Sequence, residues 1–586
     1  MPDIELPPGI VKTQSGAAAM GRYTDADKVR FIAGKPQKIR GWSKFFPTAL
    51  TGVPRGVLSF VGPTGQPVLA AGTESHLYFV DSAGNVADIT PLRAAAATIN
   101  NNPIATTNAS AVVTITDTAH GASTGARVTI AGATAVGGIT VVGTYTLTVI
   151  NDNSYTITHG SAATSTASGG GAAVTAAYTI NPGQVSSAAS SGYGSGAYGM
   201  EAYGTPRTLS MLTLEHRHWS LHNYGDNLLA TPGTGGVYLY DDDVDTTAQP
   251  IANSPTDCRY SFVTEERFIH ALCDDMYVRW ADVDDITDWS PSELDTANTR
   301  RLQVGSKLIA GASLGGGITL IWTDRAVYTH QYRGDEFIYE TRLAGEFCGL
   351  VGPGAFAIAD GLAFWVSQGG FYMFAGGPIP IPNQDEIRAW VFDNMSVSQR
   401  SKSVAFFNPL DREVWFLFPG PNSTEPDRYA MVNIEGWIWT IGNIQRVGAT
   451  TSVDAPNRPI LADANGYLYE HELEDDYNAD GSAMDWYLET GLYRPEGGGG
   501  NVDIFGMSPD FERQSGDIEV LLSAKARPNS TLIDDEILTF TEQTEIADAR
   551  VQGRYFKFRM SQTDVVDGDF RLGVPVLLVQ PAGDRP

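Results

Sequence analysis

The sequence predicts an all-β chain built on a β-propeller of about six to seven blades, with a small inserted β-domain and a terminal β-sandwich platform. Three observations carry this. Charged residues make up only 18% while Gly reaches 63, a composition that favours strands and turns over helices. Strand pairs recur along most of the chain. One stretch, 94–200, interrupts the recurrence with a different composition and holds only three charged residues, Asp117, Arg127 and Asp152.

Each repeat is an apolar strand, a short polar turn and a second strand that opens with a bulky residue before Tyr. The markers are Leu77-Tyr78, Val237-Tyr238, Met276-Tyr277, Val327-Tyr328, Phe371-Tyr372 and Leu468-Tyr469, with Arg428-Tyr429 as a looser member. From Tyr238 the Tyr spacings are 39, 51, 44, 57 and 40. A period of roughly 40–50 residues with paired strands is the mark of propeller blades, each too small to bury both faces alone. Trp280, Trp322, Trp365, Trp415 and Trp439 lie in these strands and suit packing between blades. Several unrelated hairpins in β-sandwiches would be the plainer account.

The elements divide as follows. Residues 1–60 are a basic N-terminal arm and platform segment, with nine Lys/Arg against four acids. That charge suits an acidic partner or neighbouring subunit; a solvated arm explains it equally. Residues 61–93 give the first propeller hairpin. Residues 94–182 alternate in strand fashion, as in Arg127-Val-Thr-Ile and Ser154-Tyr-Thr-Ile-Thr, and predict a sandwich or barrel-like insertion. Residues 183–206 form a Gly/Tyr/Ser-rich loop. The propeller occupies 207–482, with one helix over 385–395 where Ile387, Trp390, Val391 and Met395 fall at helical spacing. Residues 483–586 give the terminal sandwich, with Gly497-Gly-Gly-Gly500 as a loop tip.

Net charge is −28, which opposes any surface built to grip nucleic acid by its phosphates. Three cysteines, Cys258, Cys273 and Cys348, give neither a disulfide framework nor zinc spacing, and suit assembly in a reducing cytoplasm. The opening Met-Pro-Asp-Ile-Glu predicts no signal peptide, and no apolar run is long enough for a membrane helix.

Chemistry-bearing patterns are few. Gly311-Ala-Ser313-Leu-Gly315 has nucleophile-elbow spacing, but strands surround it where a strand-to-helix turn is required. His216, His218 and His222 alternate on one strand and offer two metal ligands without a third. Asp476, Asn478 and Asp480 begin like a calcium loop, yet its twelfth position is Tyr487 and not Glu; Asx turns account for the same residues. Acidic runs at 241–245 and 282–288 read as solvated turns, and Arg333-Gly-Asp335 as an ordinary hairpin. No phosphate loop, His-Glu-x-x-His pair or dinucleotide fingerprint occurs. The expectation is no enzyme, no cofactor and no metal.

Several phrases in order resemble the tail nozzle proteins of short-tailed, podovirus-like bacteriophages. They are Gly41-Trp-Ser-Lys, Asp88-Ile-Thr-Pro-Leu-Arg93, His218-Trp-Ser-Leu, Asn223-Tyr-Gly-Asp-Asn-Leu-Leu-Ala230, Thr287-Asp-Trp-Ser-Pro291, Cys348-Gly-Leu-Val-Gly-Pro353, Gly466-Tyr-Leu-Tyr-Glu-His-Glu472 and Asp510-Phe-Glu-Arg-Gln-Ser-Gly516. The resemblance covers most of the chain outside the insertion. It implies a virion tail protein, assembled in the host cytoplasm as a hexamer below the portal-adaptor ring. It further implies tail fibres or tailspikes docked at the side, and duplex DNA passing through without specific binding. The insertion would be the distal tip or a docking domain; the channel gate residues are not implied. Two other classes compete: a propeller-type carbohydrate-active enzyme, with paired carboxylates in its funnel, and a receptor-binding tail adhesin.

Overall fold

The computed structural model describes residues 4–12, 18–189, 213–293, 295–334, 338–473, 478, 480–495 and 500–582. They fall into two compact units: Leu50–Leu302, and Met1–Ala49 with Gln303–Pro586.

Among the described residues seven four-stranded antiparallel sheets, six of them meanders, form the blades of a β-propeller. The first unit holds three: blade 1 from Gly56 to Asp88, blade 2 from Ser220 to Pro250, and blade 3 from Cys258 to Arg301. The second holds four: blade 4 from Leu308 to Glu346, blade 5 from Phe356 to Pro380, blade 6 from Val404 to Asn443, and blade 7 from Gly448 to Leu473. Blade 7 has only three strands of its own and takes its fourth, Gly41–Lys44, from near the N-terminus, with Trp42 opposite His471. The first strands of blades 1, 2 and 3 touch in turn, as do those of blades 5, 6 and 7, which is how these blades share a core.

All seven marker tyrosines stand in the third strand of a blade, the looser Tyr429 included. The third strand is inside the sheet, and Tyr78, Tyr238, Tyr328 and Tyr429 are buried there. Tyr78 accepts the N–H of Thr51 at 3.2 Å and Tyr328 that of Val304 at 2.8 Å, each in the segment leading into the same blade. Tryptophans join blades in the second unit: Trp322 stacks on Phe356 at 5.0 Å, and Trp439 meets Phe371 at 4.9 Å.

Between blades 1 and 2 the joint is Trp219. Its Nε1 donates to the Thr73 carbonyl at 2.7 Å, and its ring joins a core of Phe79, Leu221, Leu228 and Tyr240. Gly56 and Gly72 are cross-strand partners in blade 1. A Cβ on Gly72 would lie 2.3 Å from the Trp219 ring, and one on Gly56 2.4 Å from its carbonyl oxygen. Two glycines side by side thus make the slot for one indole.

The insertion runs from Ala97 to Tyr178 as one curled eight-stranded sheet. Its concave face buries Ile104, Val113, Ile115, Val128, Ile130, Leu147, Tyr155 and Ile157. Arg127 of the insertion pairs with Asp88 at the end of blade 1. Of the 183–206 stretch only 183–189 belongs to the described residues.

The C-terminal strands form five-, four- and three-stranded sheets. Residues 23–38, expected as part of a basic arm and platform segment, are strands inside two of them. Tyr23–Asp27 pairs with Trp486–Thr490, and Lys35–Lys38 meets Asp569–Leu572 through Gln37 and Arg571. The helix over 385–395 is shorter than its spacing suggests: a 3₁₀ turn Gln384–Glu386, then Arg388–Asp393. Ile387 at φ −126° breaks the run, yet Ile387, Val391 and Met395 are all buried. Among the described residues no helix is long and apolar enough to cross a membrane.

Gly72→Ala forces its methyl into the Trp219 ring. We expect a loss of 1–3 kcal/mol, typical of overpacking, read by denaturant unfolding of the full chain. A loss below about 0.5 kcal/mol would show that the slot is loose.

Candidate functional site

Strand Val29–Ile32 is buried except at its end, and its second residue is Arg30. The Arg30 side chain is 0% exposed. An unpaired guanidinium would not survive there, and acids of blades 6 and 7 surround it. Nη1 lies 2.5 Å from Asp411 Oδ2 and 2.7 Å from Glu472 Oε2, while Nη2 lies 2.6 Å from Glu472 Oε1 and 3.1 Å from Glu413 Oε2. The contact to Glu472 is bidentate, the strong form of this pairing. Asp411 stands in the turn after Val404–Asn408, Glu413 opens the next strand, and Glu472 sits near the end of Leu468–Leu473 at φ 62°. Arg40, partly exposed, approaches Asp411 at 3.1 Å and Glu472 at 3.5 Å.

Three carboxylates face two guanidiniums. Burial, reinforced by Glu472 and Asp411, pushes the Glu413 carboxyl up to about 8 despite the Arg30 charge. For Arg30, burial acts downward, but Glu413, Glu472 and Asp411 outweigh it and hold the cation.

Beside the cluster lies a pocket of about 400 Å³, lined by Phe31, Ile32, Leu410, Asp411, Arg412, Asn433, Glu435 and Ile438. Arg412 bridges Asp360 and Glu435 at its mouth. The lining includes no Ser, Thr, Cys, His or Tyr, and its titratable groups are Asp411, Arg412 and Glu435. The arrangement can hold a polar or cationic group; its main work is to bind the N-terminal strands to blades 6 and 7.

The residues singled out in sequence are dispersed. His216 bonds Ser187 at 3.0 Å, and His222 approaches the Tyr260 hydroxyl at 3.5 Å. Burial lowers His222 to about 4; burial and then Arg55 lower His218 to about 4. Ser313 lies in the strand Leu308–Gly315, whose partner is the next strand of a hairpin, with no helix following. Asp476 is outside the described residues. Asn478 donates to the Ala483 carbonyl at 2.8 Å, and Asp480 accepts the Ser482 N–H at 3.0 Å, as Asx turns do. Arg333 pairs with Glu340, and Asp335 is outside the described residues. All three cysteines are buried and free.

One grouping had no sequence signal. Asp257, Cys273 and Asp275 bring ligand atoms within 4.8 Å of one another. Arg279 already occupies the position a cation would take, 2.5 Å from Asp275 and 3.9 Å from Asp257, and burial raises the Cys273 thiol to about 12. The Arg30 cluster was equally invisible, because its partners lie 381 and 442 residues away.

Comparison with known proteins adds little. No protein-family model matches the chain, and no curated protein matches it. Among solved structures, dihydro-heme d1 dehydrogenase NirN in complex with DHE is 11% identical, covering 59% of this chain and 70% of that one at a TM-score of 0.27. Phage phi92 endosialidase is 13% identical, covering 67% of this chain and 53% of that one at a TM-score of 0.18. The chain thus spans about half the length of the endosialidase. At these scores neither likeness bears on activity.

Arg30→Met strands three acids in the interior. We expect a loss of roughly 3–5 kcal/mol, the usual result of breaking a buried pair on one side. Unfolding within about 1 kcal/mol of the parent would mean the cluster is solvated. Glu413→Gln tests the titration. Burial raises the folded carboxyl to about 8, above its ordinary 4.5. The parent should therefore lose stability as pH rises across that window, and the Gln variant should not. Parallel pH–stability profiles for the two proteins would refute the assignment.

Proposed function

We propose that the protein is a structural component of a short-tailed phage particle. In this reading six copies form the tail nozzle below the adaptor ring, a conduit for duplex DNA and no enzyme. The observation that carries it is the weave of residues 23–44 into the second unit. Strands from 23–38 lie in the C-terminal sheets, Gly41–Lys44 completes blade 7, and Arg30 bonds blades 6 and 7 in the same segment. A wall beside moving DNA must not fray, and here strands of residues 23–44 are held within folded sheets. The ordered nozzle-like phrases along the sequence support the same reading.

The charge supports it too. With a net charge of −28, the surface repels phosphate and releases few counterions, so DNA can slide without sticking. The insertion, almost free of charge, is the candidate for the distal tip or a docking domain for fibres or tailspikes.

The test is the particle itself. Electron microscopy of purified tails, with native mass of the isolated chain, should give six-fold rings at six times 62.8 kDa. A chain absent from particles, or a monomer that turns over a glycan, would remove the proposal.

A further inference from the structure

The rim of blades 4 and 5 carries an apolar patch in the wrong place for a solvated surface. Phe347 follows the outer strand Tyr339–Glu346 and is 72% exposed. Its φ is 61°, a conformation bulky residues rarely adopt. Leu343 on that strand and Ile379 on the outer strand of blade 5 are also exposed. A Cβ on Gly345 would lie 2.4 Å from the Pro378 ring, so the two outer strands meet there. The patch is flanked by cations: Arg325 lies 4.8 Å from the Phe347 ring centre, and Arg342 is exposed beside its partner Glu340. Prolines at both ends of Pro378–Pro380 remove backbone donors from that edge, which favours docking by side chains over added strands.

The same chain carries the complement. In blade 2 the turn 241–245 lifts Val244 to 79% exposure between Asp243 and Asp245, with Asp242 and Asp243 exposed beside it. The turn is already rigid. Val244 and Asp245 donate to the Asp241 carbonyl at 3.1 and 2.8 Å, and the Asp243 N–H donates to the Asp241 carboxylate at 3.1 Å. Little freedom is left to lose on binding. The other acidic turn, 282–288, has no comparably exposed apolar tip, and Asp282 and Asp285 are turned onto neighbouring backbone N–H groups.

We propose that the Phe347 rim of one copy binds the 241–245 turn of a second copy, with Val244 against Phe347 and Leu343, and Asp242 and Asp243 against Arg342 and Arg325. Two different surfaces of one chain make a heterologous contact, which propagates into a ring or an open chain of copies. The contact rests on the nozzle reading only for the number six.

The test uses the full chain in sedimentation and native mass over a range of concentrations. Phe347→Ser, Val244→Ser and Arg342→Glu each weaken association on the order of tenfold, as expected for a central anchor or a facing charge. Their thermal unfolding stays that of the parent, because each side chain is exposed. Asp242→Arg with Asp243→Arg does the same, and adding Arg342→Glu to that pair restores association. Rings of another number with these sensitivities uphold the contact and sink the six-copy reading. Rings indifferent to all four changes overturn the contact and leave that reading standing. A parent that stays monomeric overturns the contact. Variants that associate normally but no longer enter particles also overturn it, and give the rim to another tail component.

Discussion

A guanidinium buried among three carboxylates fixes the second unit. Arg30 has no route to water, so its charge is stable only while Asp411, Glu413 and Glu472 stay around it. The dependence is mutual, since without Arg30 those acids face one another in the turn of blade 6 and the third strand of blade 7. A single side chain on an N-terminal strand thereby sets the position of that strand, and the strands on either side follow. Tyr23–Asp27 goes to the sandwich, and Gly41–Lys44 goes to blade 7.

The blades obey a different rule. Their second strands are mostly apolar, as in Glu413–Phe418, where even the Glu is buried. Their stability comes from area removed from water and from aromatic contacts between neighbouring sheets. Ion pairs elsewhere on the molecule are mostly exposed and contribute little. The Arg30 cluster differs in being desolvated and bidentate, so it specifies which strand completes which sheet more than it adds stability.

Much of this was legible in the residues. The Tyr markers found all seven blades because each third strand is hydrogen-bonded on both sides and opens with the same residue types. The insertion announced itself by losing charge and alternating at a period of two; Val128 and Ile130 face its core while Thr129 is exposed. The terminal strands from Trp486 onward were equally plain. What could not be read was pairing. Gly41–Lys44 looks like any short strand, and nothing local says that its partner is Leu468–Leu473. The basic composition of 1–60 pointed outward to an acidic partner, or to water. The acids were in the same chain, hundreds of residues on, because a long loop adds only slowly to closure entropy. Gly56 and Gly72 carried no signal of the indole they admit.

Within the second unit, strands of residues 23–44 tie blades 6 and 7 to the C-terminal sheets. Native-state hydrogen exchange followed by mass spectrometry tests it most directly. The account predicts that amides of Tyr23–Asp27, Val29–Ile32 and Gly41–Lys44 exchange together with those of Trp486–Thr490 and Leu468–Leu473, at the rate of the slowest core strands of that unit. Exchange of 23–44 within seconds, while the blade and sandwich strands stay protected, would mean the segment is an arm after all.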